Sequence, residues 1–193
     1  FSFAQNKTLS KESYHIDDVK VIANSEGFAE LLKRNYGRTP DAILNVGVNR
    51  KIFYPLKKSY EGSIKRILVI GPDNYGTQLE PLHFKGMNDV KAALTKLKEK
   101  YTNFTLVRIS NTKPEIFKDF ECEFYYLPDD ELKRYLYGTS DILIYSSHYE
   151  SWGLPPLEAM AAGTAVICTN NVGSKDYCHN GENCLQVNIK SPE

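Results

Sequence analysis

The chain has 193 residues and a mass of 22.0 kDa, room for one large domain or one and a half small ones. Lysine plus arginine number 24 and aspartate plus glutamate also 24, so no global field draws the chain to nucleic acid or to an anionic membrane, and any phosphate chemistry must rest on a local site. With 41% hydrophobic and 25% charged residues, and no apolar run near the roughly 18 residues of a membrane span, the composition is that of an ordinary globular fold with a cytoplasmic look.

The start, FSFAQNKTLS, is neither a secretory signal nor an initiator methionine, which reads as a fragment. Val19 to Ala23 is predicted as a strand, with Ser25 as the cap of a following helix whose apolar stripe is Phe28, Leu31, Leu32 and Tyr36. Ala42 to Val46 is a further short strand. Gly47 to Gly62 has no clear period, holds Pro55 and the basic residues Arg50, Lys51, Lys57 and Lys58, and reads as a linker.

From there short apolar runs alternate with helical stretches. Strands are predicted at Ile64–Ile70, Phe104–Ile109, Cys122–Leu127, Asp141–Tyr145, Ala165–Cys168 and Cys184–Val187. Helices are predicted over Gly86–Lys100, where Met87, Val90, Ala93, Leu94 and Leu97 recur at helical spacing, over Asp130–Tyr137, and over Pro155–Ala162. The last has proline at its start and Gly163 just past its end. Strands alternating with helices imply a parallel sheet covered on both faces, an α/β, Rossmann-like, doubly wound domain. Ligands in such sheets bind at the carboxyl ends of the strands, so candidate residues should follow strands.

Four cysteines, Cys122, Cys168, Cys178 and Cys184, include no C-x-x-C pair, and Cys178 and Cys184 flank His179 at a spacing that fits no usual metal motif. Reduced thiols are expected, with Cys122 and Cys168 acting as small core hydrophobes. No carboxylate-rich D-x-D metal motif is present.

The richest stretch runs from Glu150 to Gly163, after the strand Asp141–Tyr145. Seven residues separate Glu150 from Glu158. Glu150 is placed in the loop and Glu158 in the first helical turn, where the dipole favours a carboxylate. Gly153 allows close backbone approach, and the amides of Gly153 and Leu154 face a helix start, a ready anion site. One reading seats a nucleoside diphosphate on the helix start, its ribose diol on Glu158 and a sugar near Glu150. The plainer reading makes both glutamates surface charges. The flanking Ser140-to-Ile144 and Ala159-to-Thr164 runs favour the first.

The segment resembles the nucleotide-binding half of the retaining family-four glycosyltransferases of the GT-B fold (glycosyl transferases group 1), whose motif E-x-[FW]-G-x-x-x-x-E-A-M-A-x-G is matched from Glu150 to Gly163. The likeness spans roughly residues 19–190. Val21–Ser25, Asn45–Asn49 and Phe53–Pro55 are similar to the family's passage between its two domains, Phe84-Lys85-Gly86 to its phosphate-contacting pair, Leu127–Leu132 to its base-binding turn, and Thr169–Tyr177 with Asn180–Asn183 to its final loop and strand.

The resemblance implies one half of a GT-B two-domain architecture. Residues 1–60 would be the tail of an acceptor domain plus linker, and 61–193 a nucleotide-sugar-binding domain that stops before its final helix. It implies transfer of a sugar from a nucleotide-diphosphate donor to a glycan, lipid-linked or small-molecule acceptor, with retention and without metal or other cofactor. This fragment would then bind nucleotide without turning over, any peripheral membrane contact lying in the part not present here. Glu158 would bind the ribose hydroxyls, Gly153 and Leu154 the diphosphate, and Leu127 the base through its backbone. Lys85 would neutralise the leaving diphosphate, and Glu150 would face the donor sugar or the charge developing at its anomeric carbon.

Gly173-Ser174 stands where the family often has two glycines, so the amide of Gly173 would approach the sugar. Asp176 would be a helix-start charge, and Trp152 would pack under its loop. One departure stands out: the family places an arginine after the glycine ending the first strand, and here that residue is Pro72. Arg108 or His83 would have to substitute, against plainer readings as a surface strand residue and a loop residue. The missing cation supports the alternative of a non-catalytic nucleotide-sugar-binding module. A dinucleotide-dependent oxidoreductase is argued against by the absence of G-x-G-x-x-G after the first strand.

Overall fold

The computed structural model describes residues 12–56, 66–73, 84–113 and 115–191. Its centre is a six-stranded, all-parallel sheet in the order β5-β4-β3-β6-β7-β8. The strands are β3 (Arg66–Ile70), β4 (Thr105–Ser110), β5 (Cys122–Tyr126), β6 (Ile142–Tyr145), β7 (Ala165–Thr169) and β8 (Leu185–Val187). This is the doubly wound order, with the direction in which successive strands are added reversing between β3 and β6. Each predicted strand is present, most with an end displaced by about one residue. Residues 64 and 65 of the first lie outside the described residues.

Side chains of successive strand residues point to opposite faces, and the two faces form two cores. Leu68, Val107, Ile109, Leu143, Tyr145, Val166 and Cys168 face one. There they meet α3 (Asp130–Thr139) through Leu136 and Tyr137, and α4 (Leu154–Ala161) through Ala159. Ile67, Val69 and Leu106 face the other, covered by Met87, Val90 and Leu94 of α2 (Met87–Lys100) and by Phe117. These buried runs read as near-continuous hydrophobic stretches because both faces of a parallel sheet are covered.

A second sheet is a parallel pair, β1 (Ile22–Ala23) with β2 (Ala42–Ile43), joined by α1 (Glu26–Tyr36). Ser25 caps α1 as expected, accepting from the Phe28 amide at 3.0 Å, and Gly37 closes it in the left-handed conformation. The stretch read as a linker is packed rather than free. Phe53 is buried against the main core, its ring 5.9 Å from that of Tyr137 in an edge contact, and a Cβ on Gly138 would meet Leu56 at 2.6 Å. Apolar Val48, Ile52 and Phe53 thus override the weak local signal. Residues 57–65 lie outside the described residues. No helix among the described residues is long and apolar enough to cross a membrane.

Arg66 at the head of β3 reaches over β4 to grip both carboxylate oxygens of Glu123, and Tyr125 donates to the same carboxylate at 3.1 Å. The bond from Arg66 holds Glu123 below its ordinary value of 4.5. A depressed carboxylate stabilises the fold above its unfolded pKa and loses that contribution as pH falls through the folded one. Glu123→Gln should therefore lower thermal stability at neutral pH by about 1 kcal/mol or less, the pair being part-exposed. The gap to wild type should close on acidification below the carboxylate range, as read by melting curves across pH.

Candidate functional site

The carboxyl ends of β3 and β6 part at the switch point, and the chain places its candidate residues there. After β3, Gly71 adopts φ 129°, and a Cβ there would lie 3.4 Å from the Lys85 and Met87 side chains. The segment 84–86 lies against the exit of β6. The His148 amide donates to the Phe84 carbonyl at 2.6 Å, and the Ser146 hydroxyl to the Lys85 carbonyl at 2.6 Å. Gly86, at φ 61°, begins α2 so close to this strand exit that a Cβ would sit 2.3 Å from the Ser146 carbonyl oxygen. The Lys-Gly pair is thus a geometric requirement: glycine permits the approach, and the approach aims the lysine. His148 closes the zipper, its Nε2 sharing a 2.7 Å hydrogen bond with Asp89 in the first turn of α2.

Lys85 Nζ donates to Glu150 Oε1 in a half-buried ion pair. Tyr145, the last residue of β6, donates its hydroxyl to the same oxygen at 2.7 Å. Tyr137 on α3 donates to Glu158 Oε2 at 2.7 Å. Each glutamate of the E-x7-E motif is therefore held by a buried tyrosine. Burial and the neighbouring carboxylates push both phenols well above their ordinary 10.0, so they remain donors. Sequence reasoning missed these two residues; the available signal was a tyrosine within an apolar run, which when buried needs a partner for its hydroxyl.

Gly153 caps α4 at φ 90°, and no side chain caps the helix. Pro155 and Pro156 lack an N–H, so Gly153 and Leu154 carry the amides at this start. Because the helix begins at Leu154, Glu158 is its fifth residue rather than in its first turn. The dipole acts weakly there, and Tyr137 supplies the anchor instead. The Tyr177 hydroxyl donates to the carbonyls of Trp152 (3.0 Å) and Gly153 (2.6 Å), fixing the loop. Trp152 is buried, its ring 5.0 Å from that of Tyr177, and packs under the loop as expected.

Other expectations change. The Gly173 amide donates to Asn171 Oδ1 at 3.1 Å, so its donor is spent inside its own loop. Glycine is needed there because a Cβ would meet the Trp152 nitrogen at 2.4 Å. Leu127 follows β5 at φ 41° and is 62% exposed. Its amide donates to the Ser110 carbonyl at 3.3 Å, so that amide is engaged within the sheet edge. Asp176 does serve a helix start, that of α1, accepting from the Glu26 amide at 2.8 Å and from Asn45 at 3.2 Å. Asn24 and Ser25 bind Ser151 beside Glu150. The β1-α1-β2 unit thereby braces the loop that carries the motif.

Arg108 is neither a surface residue nor a phosphate ligand. It is fully buried, and donates to the Val69 carbonyl at 3.0 Å, the Gly71 carbonyl at 2.6 Å and Asp73 at 2.8 Å, over the Phe117 ring at 4.7 Å. Burial pulls its pKa down and Asp73 opposes the fall. Its role is to fix the end of β3 beside buried Pro72. His83 lies outside the described residues.

Residues 121–193 match the sequence model of the glycosyl transferases group 1. Over these residues the chain is similar to the glycosyl transferases group 1. Over 173 residues the chain is 28% identical to the alpha-1,3/1,6-mannosyltransferase alg-2 of Neurospora crassa, covering 90% of this chain and 35% of that protein. The sucrose-phosphate synthase of Thermosynechococcus elongatus superposes with a TM-score of 0.76 at 20% identity, over 95% of this chain and 48% of that one. The Anabaena protein HepE, solved in complex with UDP-glucose, superposes with a TM-score of 0.65 at 16% identity, over 88% of this chain and 50% of that one. The fold is the Rossmann-like half of the GT-B architecture, and the chain spans about a third to a half of the length of these relatives.

Removing the guanidinium from the buried pair strands the Asp73 carboxylate. Arg108→Gln should cost about 3–5 kcal/mol in urea unfolding, and adding Asp73→Asn should recover part of the loss.

Proposed function

We propose that this chain is the donor-binding part of a glycosyltransferase that moves a sugar from a nucleoside diphosphate to an acceptor hydroxyl with retention of anomeric configuration. The observation that carries this reading is the convergence of Lys85, Glu150 and the α4 start on the switch-point crevice, with Glu158 on the same short helix. A mannosyltransferase among the relatives and a UDP-glucose complex among the similar folds support a hexosyl nucleotide donor.

The barrier in such a transfer is separation of a sugar cation from a diphosphate anion. Pre-positioned donors aimed at the departing charge lower it, and do most in a part-buried site. Lys85 and the amides of Gly153 and Leu154 are such donors. Glu158, held by Tyr137, presents its second oxygen to a ribose diol. Glu150, released from Lys85 as the diphosphate takes its place, faces the anomeric carbon. Because Glu158 is committed to the ribose, the two glutamates are not an acid and nucleophile pair of the glycosidase kind. No metal is assigned to this step. Pro72 and the committed Arg108 favour a second reading, a nucleotide-sugar-binding module without turnover. Turnover of labelled nucleotide sugars by the full-length protein separates the two.

Glu158→Ala should weaken nucleoside diphosphate binding by tenfold or more, about 1.4 kcal/mol, in calorimetry. Tyr137→Phe, which only loosens the carboxylate, should weaken it less. Unchanged affinity in Glu158→Ala would remove the ribose assignment.

A further inference from the structure

Cys168, Cys178 and Cys184 are far enough apart in sequence to escape any motif, yet the fold gathers them. Cys168 lies in β7, Cys178 follows the 3-10 turn Ser174–Asp176, and Cys184 precedes β8, which pairs with β7. Their three sulfurs lie within 4.8 Å of one another, with Cys168 and Cys178 at 3.3 Å. A metal–thiolate bond of about 2.3 Å sets three sulfurs around one ion roughly 4.0 Å apart. The 3.3 Å pair lies below that value and the 4.8 Å limit on the trio above it, so small side-chain adjustments bring all three onto a shared ion. A disulfide would use two of the sulfurs and leave the third unexplained.

The scaffold around them is already fixed. The Ser174 hydroxyl donates to Thr169 and Asn171, and the Cys178 amide to Ser174 at 2.8 Å. Asn183 ties the Tyr177 carbonyl and the His179 amide, and the Gly181 amide donates to the Cys184 carbonyl at 2.9 Å. The cysteines are 1%, 3% and 7% exposed, and Cys184, the most open, adjoins the exposed Gly181–Asn183 turn that gives entry. Buried free thiols need no such convergence, whereas soft thiolate donors select thiophilic ions.

We propose that Cys168, Cys178 and Cys184 form a three-thiolate site for a thiophilic closed-shell metal ion of the copper(I) or zinc(II) kind. Binding exchanges three S–H protons for three metal–sulfur bonds, with no change of oxidation state at sulfur or metal. The ion ties β7 to the loop of Tyr177, whose hydroxyl holds the Trp152 and Gly153 carbonyls. Occupancy would therefore stiffen the start of α4 from behind, whether or not the protein transfers sugar.

The test is a titration of the reduced, metal-free protein with zinc(II) and, separately and without oxygen, with copper(I), each against a competing chelator. Free thiols are counted by a disulfide reagent. One ion per chain, three of four thiols masked and a raised melting temperature are expected with at least one of the two ions. Cys122→Ser should retain the site, and Cys178→Ser and Cys184→Ser should each lose stoichiometric binding. The thiol count on wild-type protein stands even if a variant fails to fold. Absence of stoichiometric binding by both ions, binding retained in Cys178→Ser and Cys184→Ser, or masking of two thiols through a Cys168–Cys178 disulfide would overturn the proposal.

Discussion

Lys85 and Glu150 face each other across the place where the sheet divides. β3 and β6 are hydrogen-bonded neighbours, but their crossovers leave in opposite directions, so the loops after them must separate and open a crevice. The ion pair bridges that crevice, and the backbone bonds between 84–86 and 146–148 keep it in register. Gly71 leaves space for the lysine stem and Gly86 permits the close approach. The pair is half-buried, where charges interact more strongly than in water. In the proposed function it keeps a cation in the crevice that an incoming anion would take over from the carboxylate.

The second layer of control is hydroxyl groups on carboxylates and carbonyls. Tyr145 shares Glu150 with Lys85, Tyr137 holds Glu158, and Tyr177 holds the two carbonyls at the start of α4. None of the three relies on a flexible side chain, since each ring is packed in the main core. The site is therefore built on core residues, and its shape is coupled to packing around Trp152, Tyr177 and the three cysteines behind them. Arg108 does the same for β3, using its guanidinium on backbone carbonyls and Asp73.

Much of this was legible in the sequence where the cause is local. The six strands announce themselves because parallel strands buried on both sides are short apolar runs, and α1, α2 and α4 carry apolar spacing, a cap or flanking Pro and Gly. The Glu150-to-Gly163 motif points to the crevice because it follows a strand. What was not legible is non-local. An arginine in a strand reads as exposed until Asp73 and two carbonyls are brought to it. Gly173 looks like a ligand contact until Trp152 is seen to press against it. Residues 48–56 look like a linker because their partners, Tyr137 and Gly138, lie more than eighty residues on. The cysteine trio follows no motif spacing because three separate elements supply it.

The central claim, that the Lys85–Glu150 pair holds a cation ready for a diphosphate, has a direct measurement. Calorimetric titration would first find the nucleoside diphosphate that binds the protein most tightly, then compare Glu150→Gln and Lys85→Gln with it. With no sugar present, Glu150→Gln frees the lysine and should bind that nucleotide several-fold more tightly, while Lys85→Gln should bind it more weakly. Equal or weaker binding by Glu150→Gln would contradict the account.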